Sequence, residues 1–445
     1  MGSAQADSLY DIKASYHTLG CKLNFAETST IGKILKAHGV RESRKGETPN
    51  ICIVNTCSVT EMADKKSRSL IRKLHRQYPE ATIVVTGCYA QLKPEEVKAL
   101  EGVDMVLGAN DKLKIGDYVG NWLSTKKWGA GTSTIVTEMK EMEEFVPSCA
   151  RGDRTRYFLK VQDGCDYYCT YCTIPYARGR SRSPKIEDLL QQARQVAEEG
   201  GKEIVLTGVN IGDFGKRSDE TFFDLIKRLD GIEGIERLRI SSIEPNLLTE
   251  EIIDWIATES RAFMPHFHIP LQSGSDEVLR KMNRRYDTAL FRSRIEHIRE
   301  AIPEAFIGVD VIAGARGETE EEWEKAYGFI KSMDVSRLHV FPYSERPGTA
   351  ALMLGGEVDK GERNRRAAKL VKLSDEKITG FMESCLGQTR PVLWEHLIEG
   401  TGLMTGLTDN YLRVTAKSDE KLLNRITSVR LDAIDPDREE TIRAV

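Results

Sequence analysis

Three short apolar runs near the start of the chain each lead straight into a cysteine: HTLG into Cys21, IVNT into Cys57 and VVTG into Cys88. Stretches with helical hydrophobic spacing lie between them, and the alternation continues through VDMVLG to about Leu123. Buried strands of this length separated by helices predict an open parallel α/β sheet from Ala14 onward. In such a sheet the carboxyl ends of the strands share one edge, which is where ligands bind. The pattern therefore brings Cys21, Cys57 and Cys88 to a common edge. The alternative is that these widely spaced thiols are ordinary buried residues, as most free cysteines are.

A second alternation runs from Arg156 to about Met382, with strands RYFLKVQ, EIVLTG, RLRISS, HFHIPL, FIGVDVIAG and SRLHVFPY. Six β-α repeats predict a partial or complete parallel β/α barrel, whose reactive groups sit on loops after the strands. Ser183 followed by Pro184 reads as the N-cap and first residue of its first helix, and Thr319 with Glu322 as a capping box. Residues 126–153 mix Gly, Ser, Thr and charge as linkers do, with a boundary near Pro147. After Cys385 the texture turns to short β-like runs, PVLWEH, GLMTGLT, YLRVTA and ITSVRLDAI, which predict a small β-barrel. The expected domains span 14–140, 151–382 and 383–445, in keeping with a 445-residue length too great for one core.

No apolar run approaches a bilayer span, and the N-terminus lacks the basic and apolar regions of a signal peptide. The chain is expected to be soluble and cytoplasmic. Its net charge of −4 gives no global nucleic-acid signature, so local basic clusters matter more. Four stand out: Lys65, Lys66, Arg68, Arg72, Lys73 and Arg76; Arg178, Arg180, Arg182 and Lys185; Arg280, Lys281, Arg284 and Arg285; Arg363, Arg365, Arg366 and Lys369. Each is equally readable as a solvated helix face.

Nine cysteines in a cytosolic chain argue against a disulfide scaffold. The densest motif is Cys165-Asp-Tyr-Tyr-Cys169-Thr-Tyr-Cys172, a C-x3-C-x2-C placed after the first barrel strand. Cysteines are the usual ligands of iron–sulfur clusters, and three thiolates on a 4Fe-4S cube leave one iron without a protein ligand. Zinc is the competing reading, but structural zinc takes four closed ligands and no fourth Cys or His lies close downstream. Cys52 is expected in a strand core, Cys149 in the linker and Cys385 after a helix, none of them as a ligand.

With Tyr171 at its aromatic position, this motif resembles the fingerprint of the radical S-adenosylmethionine superfamily. That resemblance implies that the open iron binds S-adenosylmethionine, and that electron transfer to it releases a 5′-deoxyadenosyl radical. Together HTLGCKLNFAET, NTCSVT, TGCYAQ and GCDYYCTYCTIPYARGRSRS resemble the methylthiotransferases of that superfamily, over nearly the whole chain. The resemblance implies an auxiliary 4Fe-4S cluster on Cys21, Cys57 and Cys88, and a second on Cys165, Cys169 and Cys172. It also implies two molecules of S-adenosylmethionine, one methylating a sulfur on the auxiliary cluster and one cleaved to give the radical that removes hydrogen from adenine carbon 2.

Several barrel positions fit cofactor binding at strand ends: Tyr171 in the cysteine loop, Gly208 and Asn210 in TGVN, Glu244 in SSIEP, Gln272 and Ser273 in PLQSGS, and Phe341 with Tyr343 in VFPYSERPGT. Each taken singly is also ordinary loop chemistry. One segment departs from the family, whose members often read G-F-P-G-E-T where this chain has Gly314-Ala-Arg-Gly-Glu-Thr319. No specific contact is carried over there.

Lys22 and Leu23 after the first cysteine make HTLGCKLNFAET similar to the branch that acts on threonylcarbamoyladenosine beside the tRNA anticodon. The alternatives are isopentenyladenosine in tRNA, an aspartate of a ribosomal protein, or a non-catalytic Fe–S RNA-binding redox sensor. The C-terminal barrel resembles the TRAM module, which implies RNA contact, with Trp394, Tyr411 and Arg413 as candidates and Trp394 also readable as core. The family resemblance further implies an electron-donor protein such as flavodoxin or ferredoxin.

Overall fold

The computed structural model describes residues 12–119, 133–138, 141–142, 145, 147–150 and 155–445. Most of the expected linker therefore lies outside the described residues. The first body contains β1 (Lys13–Thr18), α1 (Lys22–Ala37), β2 (Arg41–Glu42), β3 (Ile51–Thr56), α2 (Glu61–Gln77), β4 (Thr82–Gly87), α3 (Cys88–Leu92), α4 (Pro94–Lys98), β5 (Val103–Leu107) and β6 (Ser133–Ile135). Its strands form one parallel sheet in the order β2-β1-β3-β4-β5-β6. Every residue of β3 and β4 is buried, because helices cover both faces and the strands need no polar alternation. Ile71 and Leu74 of α2 close one face, and Ile31 and Leu35 of α1 the other.

The second body contains β7 (Cys149–Ala150), β8 (Tyr157–Lys160), α5 (Ile174–Arg178), α6 (Ile186–Glu198), β9 (Glu203–Thr207), α7 (Phe222–Asp230), β10 (Arg237–Ile240), α8 (Glu250–Thr258), β11 (His266–Gln272), α9 (Asp276–Lys281), α10 (Thr288–Ala301), β12 (Phe306–Ala313), α11 (Glu320–Ser332) and β13 (Arg337–Pro342). The strands β8-β9-β10 and β11-β12-β13 form two parallel groups, joined at the seam by bridges such as Ser242 to His268. This is the expected barrel in its partial form. Helix α1 of the first body packs against the β7 and β8 edge, with Phe25 edge-on to Phe158 at 5.7 Å and the Thr30 hydroxyl 2.8 Å from that of Ser148.

Three local expectations change. Cys149 is a strand residue, paired through β7 with Leu159 of β8. Helix α6 starts at Ile186, not Pro184; the Ser183 hydroxyl accepts the Gly215 N–H, while the Glu220 carboxylate accepts the Ile186 N–H. A distant carboxylate thus satisfies the helix start that a local cap was expected to satisfy. Thr319 does cap α11 through the Glu322 N–H, but the Glu322 carboxylate turns to Lys325 and Ser275, so the reciprocal half of the box is not made.

Helix α12 (Lys360–Cys385) leads into a closed barrel of β14 (Thr389–Ile398), β15 (Leu403–Thr408), β16 (Arg413–Lys417), β17 (Ile426–Ile434) and β18 (Thr441–Ala444). Trp394 is fully buried in it and donates to the Thr427 hydroxyl at 2.7 Å, so it is a core residue. The turn 407–411 of this barrel docks on the amino-terminal ends of the second body's strands. There Arg237 donates to the carbonyls of Leu407 and Pro391, and Arg239 to those of Thr408 and Asp409. Tyr411 fills the same place, 4.2 Å from the His266 ring and 5.0 Å from the Arg239 guanidinium. Arg413 remains exposed.

Candidate active site

Strand register places the first three thiols. Thr56 of β3 pairs with Gly87 of β4, so Cys57 and Cys88, each one residue further on, stand level at the sheet edge. Thr18 of β1 pairs with Asn55, which brings Gly20 and Cys21 alongside them. A Cβ on Gly20 would lie 2.9 Å from the Cys57 sulfur, so only glycine, here with φ +101°, lets the β1 turn pass so close. Asn24 ties the turn down by donating to the carbonyls of Leu19 and Thr56.

The second three thiols follow β8. Burial pushes the Cys57, Cys165 and Cys172 thiols up to about 12, and in each case at least one other cysteine of the same triad adds to the push. Cys88 and Cys169 are raised by burial as well, against the pull of Arg178 and Arg284 respectively. Sulfurs so placed become thiolates only when a cation compensates them, which suits a metal centre. Among the described residues no three His, Cys, Asp or Glu side chains stand close enough to hold a single ion. A cubane spreads its three thiolates over three irons, so a set of three cysteines suits it better than it suits structural zinc, which takes four closed ligands. Donors also reach the second triad: Tyr167 N–H to Cys165, Ile174 N–H to Cys172, and Arg284 to the Cys169 sulfur at 3.0 Å.

Residues next to each triad meet at one cavity. Val59 and Thr60, just past Cys57, line a 230 Å³ cavity together with Tyr171, Gln272, Asp310 and Phe341 of the second body. Gln272 has φ +68° at a β-bulge in β11, which turns its side chain at the strand end. Glu244 stands beside the cysteine loop, ion-paired with Arg284, and burial raises its carboxyl above the usual range. Asn210 is buried, its amide makes no well-formed hydrogen bond among the described residues, and the nearby Tyr167 hydroxyl is engaged by Asn246. Gly208 and Ser273 follow the ends of β9 and β11 but do not line this cavity. A Cβ on Gly208 would meet the Gln162 carbonyl at 2.9 Å, and Ser273 is buried with its hydroxyl facing the Ser275 N–H.

Residues that sequence reasoning passed over hold the two bodies together. Arg178 donates to both Glu27 oxygens at 3.0 Å, to Asn24 at 2.7 Å and to Asp163 at 3.0 Å. Lys160 and Lys112 complete this buried network on Glu27. On the opposite side Arg346, on the loop after β13, donates to the Ser58 hydroxyl at 2.7 Å and to Asp64 at 2.8 Å. The only sequence signals were an arginine close after Cys172 and a serine next to Cys57.

Comparison with known proteins agrees with this architecture. A family model described as the Radical SAM superfamily matches residues 159–330, and one described as uncharacterized protein family UPF0004 matches residues 13–108. The chain is 40% identical over 422 residues to the threonylcarbamoyladenosine tRNA methylthiotransferase MtaB of Bacillus subtilis, covering 94% of this chain and 93% of that protein. The chain belongs to the MtaB-type methylthiotransferases of the radical S-adenosylmethionine superfamily. The Thermotoga maritima MtaB is 35% identical over 397 residues, covering 89% of each chain. The tRNA-2-methylthio-N(6)-dimethylallyladenosine synthase of Endomicrobium trichonymphae is 31% identical, covering 93% of this chain and 96% of that one. Among solved structures, the radical S-adenosylmethionine methyltransferase TsrM of Kitasatospora setae shares the fold at 14% identity, with a TM-score of 0.54 over 93% of this chain and 82% of its own. As an MtaB-type member the chain is a radical S-adenosylmethionine enzyme, and the family implies a 4Fe-4S cluster and S-adenosylmethionine. Among the described residues no helix is long and apolar enough to cross a membrane.

Proposed function

We propose that this enzyme adds a 2-methylthio group to N6-threonylcarbamoyladenosine next to the tRNA anticodon, using two 4Fe-4S clusters and two molecules of S-adenosylmethionine. The observation that carries the reading is the shared cavity: Val59 and Thr60 beside Cys57 face Tyr171, Gln272 and Phe341 at the barrel mouth. Similarity to MtaB proteins at 40% and 35% identity supports the branch over the isopentenyladenosine one.

In this reading Cys21, Cys57 and Cys88 hold the auxiliary cluster, and Cys165, Cys169 and Cys172 hold the radical cluster. When bound, the clusters and S-adenosylmethionine supply the one-electron cleavage and the methylated sulfur, chemistry that no side chain provides. The chain's own residues orient and enclose. Tyr171, Gly208, Asn210, Glu244, Gln272, Ser273 and Phe341 surround the cofactor. Arg284 fixes Glu244 and the Cys169 sulfur in one geometry, and Asn210 presents an unsatisfied amide to a polar ligand. The base must leave the anticodon stack to enter the mouth. The domains are 14–140, 151–382 and 383–445, the compartment is the cytoplasm, and the reductant is a small electron-donor protein.

Two measurements test this. Nucleosides from digested tRNA should carry a 2-methylthio group on threonylcarbamoyladenosine; product only on isopentenyladenosine or on a ribosomal protein would move the substrate. Iron per chain should fall from about eight to about four when Cys21, Cys57 and Cys88 are replaced by Ala. Absence of that drop would remove the auxiliary cluster.

A further inference from the structure

The four basic clusters of the sequence meet different fates. Every arginine of three of them has a partner within the chain, although Arg180, Arg280 and Arg365 stay exposed: Arg178, Arg180 and Arg182 pair with Glu27, Asp166 and Asp163; Arg280 and Arg284 with Glu277 and Glu244; Arg285 with the Asp166 carbonyl and the Tyr167 ring; Arg363, Arg365 and Arg366 with acids around α11 and α12. The cluster on α2 differs. Its Arg68 pairs with Glu96, but Lys65, Lys66, Arg72, Lys73 and Arg76 are exposed with no carboxylate within ion-pair distance among the described residues.

The positions follow helical geometry. Lys65, Ser69, Arg72 and Arg76 recur at intervals of three and four residues, hence on one face, over about 16 Å at 1.5 Å per residue. With His75 they line a surface groove of 630 Å³ whose only acid is Glu101, a largely exposed side chain. The helix that carries the groove starts at the reaction chamber. Thr60, the N-cap of α2, lines the 230 Å³ cavity, and the Glu61 N–H donates to Ser344 on the loop after β13. Around that entrance Val59, Met62 and Phe341 are 52%, 57% and 46% exposed, an apolar rim suited to an unstacked base.

We propose that the outer face of α2 is a phosphate-binding ridge, on which Lys65, Arg72 and Arg76 grip the RNA backbone flanking the base that enters the chamber. This rests on the proposed function and adds to it the surface that positions the substrate. Unpaired cations in a row bind a polyanion without reading sequence, and they fix its register. The C-terminal barrel's turn 407–411 does not supply this grip, since it is buried at the amino-terminal ends of the second body's strands. A row of cations also suits an acidic redox protein, but the apolar rim and the chamber at the N-terminus of the same helix favour RNA.

The test compares wild-type holoenzyme with a Lys65→Gln, Arg72→Gln, Arg76→Gln variant and a charge-keeping Lys65→Arg, Arg72→Lys, Arg76→Lys variant, all matched for iron content. Binding of unmethylthiolated tRNA is measured over a range of salt. The glutamine variant is expected to bind more weakly, with the slope of log K against log salt smaller by about 2, three contacts at roughly 0.7 each. The charge-keeping variant is expected to retain the wild-type slope. If the glutamine variant keeps the wild-type affinity and slope, the ridge is not the phosphate site, though the enzyme still acts on tRNA. If it loses instead only reduction by an acidic flavoprotein, the ridge docks the reductant and the proposal is overturned. If the wild type itself binds no tRNA, the proposed function fails along with the ridge.

Discussion

Arg178 and Glu27 meet across the boundary between the two cysteine-bearing bodies, guanidinium nitrogens 3.0 Å from both carboxylate oxygens and both side chains 2% exposed. Each partner follows a triad closely along the chain: Glu27 is six residues after Cys21 and Arg178 six after Cys172. Burial alone would push the Glu27 carboxyl up, but Arg178, Lys112 and Lys160 together hold it well below the usual carboxylate range.

Neutralising that carboxylate should therefore be expensive. Glu27→Gln leaves three buried cations with one fewer counter-charge, and breaking a buried pair in this way costs about 3–5 kcal/mol. Chemical unfolding of the metal-loaded protein measures it. The same variant should form more 5′-deoxyadenosine per methylthio product than wild type, because the bodies are no longer held in register while the radical cluster's own loop is intact. An unchanged ratio would mean that the pair serves stability alone.

Arg284 offers a different handle. It touches the Cys169 sulfur and the Glu244 carboxylate at once, two partners that planar guanidinium geometry can serve together and a lysine ammonium cannot. Arg284→Lys is expected to keep the cluster yet lower the rate of S-adenosylmethionine cleavage by about 10–100-fold, the range for groups that orient metal ligands. Iron content and 5′-deoxyadenosine formation under reduction separate the two effects.

Tyr411 should titrate early. Burial pushes its hydroxyl up, but Lys22, Arg156 and Arg239 outweigh burial and bring it down to about 8. The ordinary value is 10, so the folded protein releases this proton before the unfolded chain does. Its contribution to stability is then complete above about 10 and is lost as pH falls through about 8. The difference in phenolate absorbance between wild type and Tyr411→Phe should show a midpoint near 8. A midpoint near 10 would mean that the three cations do not act on it.

These residues mark the limit of what the sequence discloses. The positions of Cys21, Cys57 and Cys88 were legible because strand length and helical spacing force a parallel sheet, and pairing Thr56 with Gly87 then levels the next residues. The barrel strands were legible for the same reason. Arg178 was not, because ARGRSRS reads as a solvated basic run until a helix from another body brings Glu27 to it. Tyr411 reads as an RNA-stacking aromatic in a small barrel, and only the docking of that barrel on Arg237 and Arg239 makes it a plug. The start of α6 was misplaced since its N–H partner, Glu220, is 34 residues away in sequence. Local periodicity fixes elements; partners distant in sequence decide which polar residues become structure.

The Gly314-Ala-Arg-Gly-Glu-Thr319 segment gains its meaning from such a partner. Arg316 pairs with Glu345, the residue next to Arg346, and Arg346 reaches across to Ser58 and Asp64 beside the first triad. Where relatives stiffen this loop with Phe and Pro, the present chain braces the loop after β13 with an ion pair. Arg316→Gln alone should change unfolding only modestly, because the pair is half-buried near the surface, but it should loosen Arg346 and reduce methylthio product. The Arg316→Gln and Arg346→Gln substitutions should then be strongly non-additive on product formation, the double variant losing little more than Arg346→Gln alone, as expected of residues acting through one loop. Additive losses would separate the two and leave Arg316 without a role in docking the bodies.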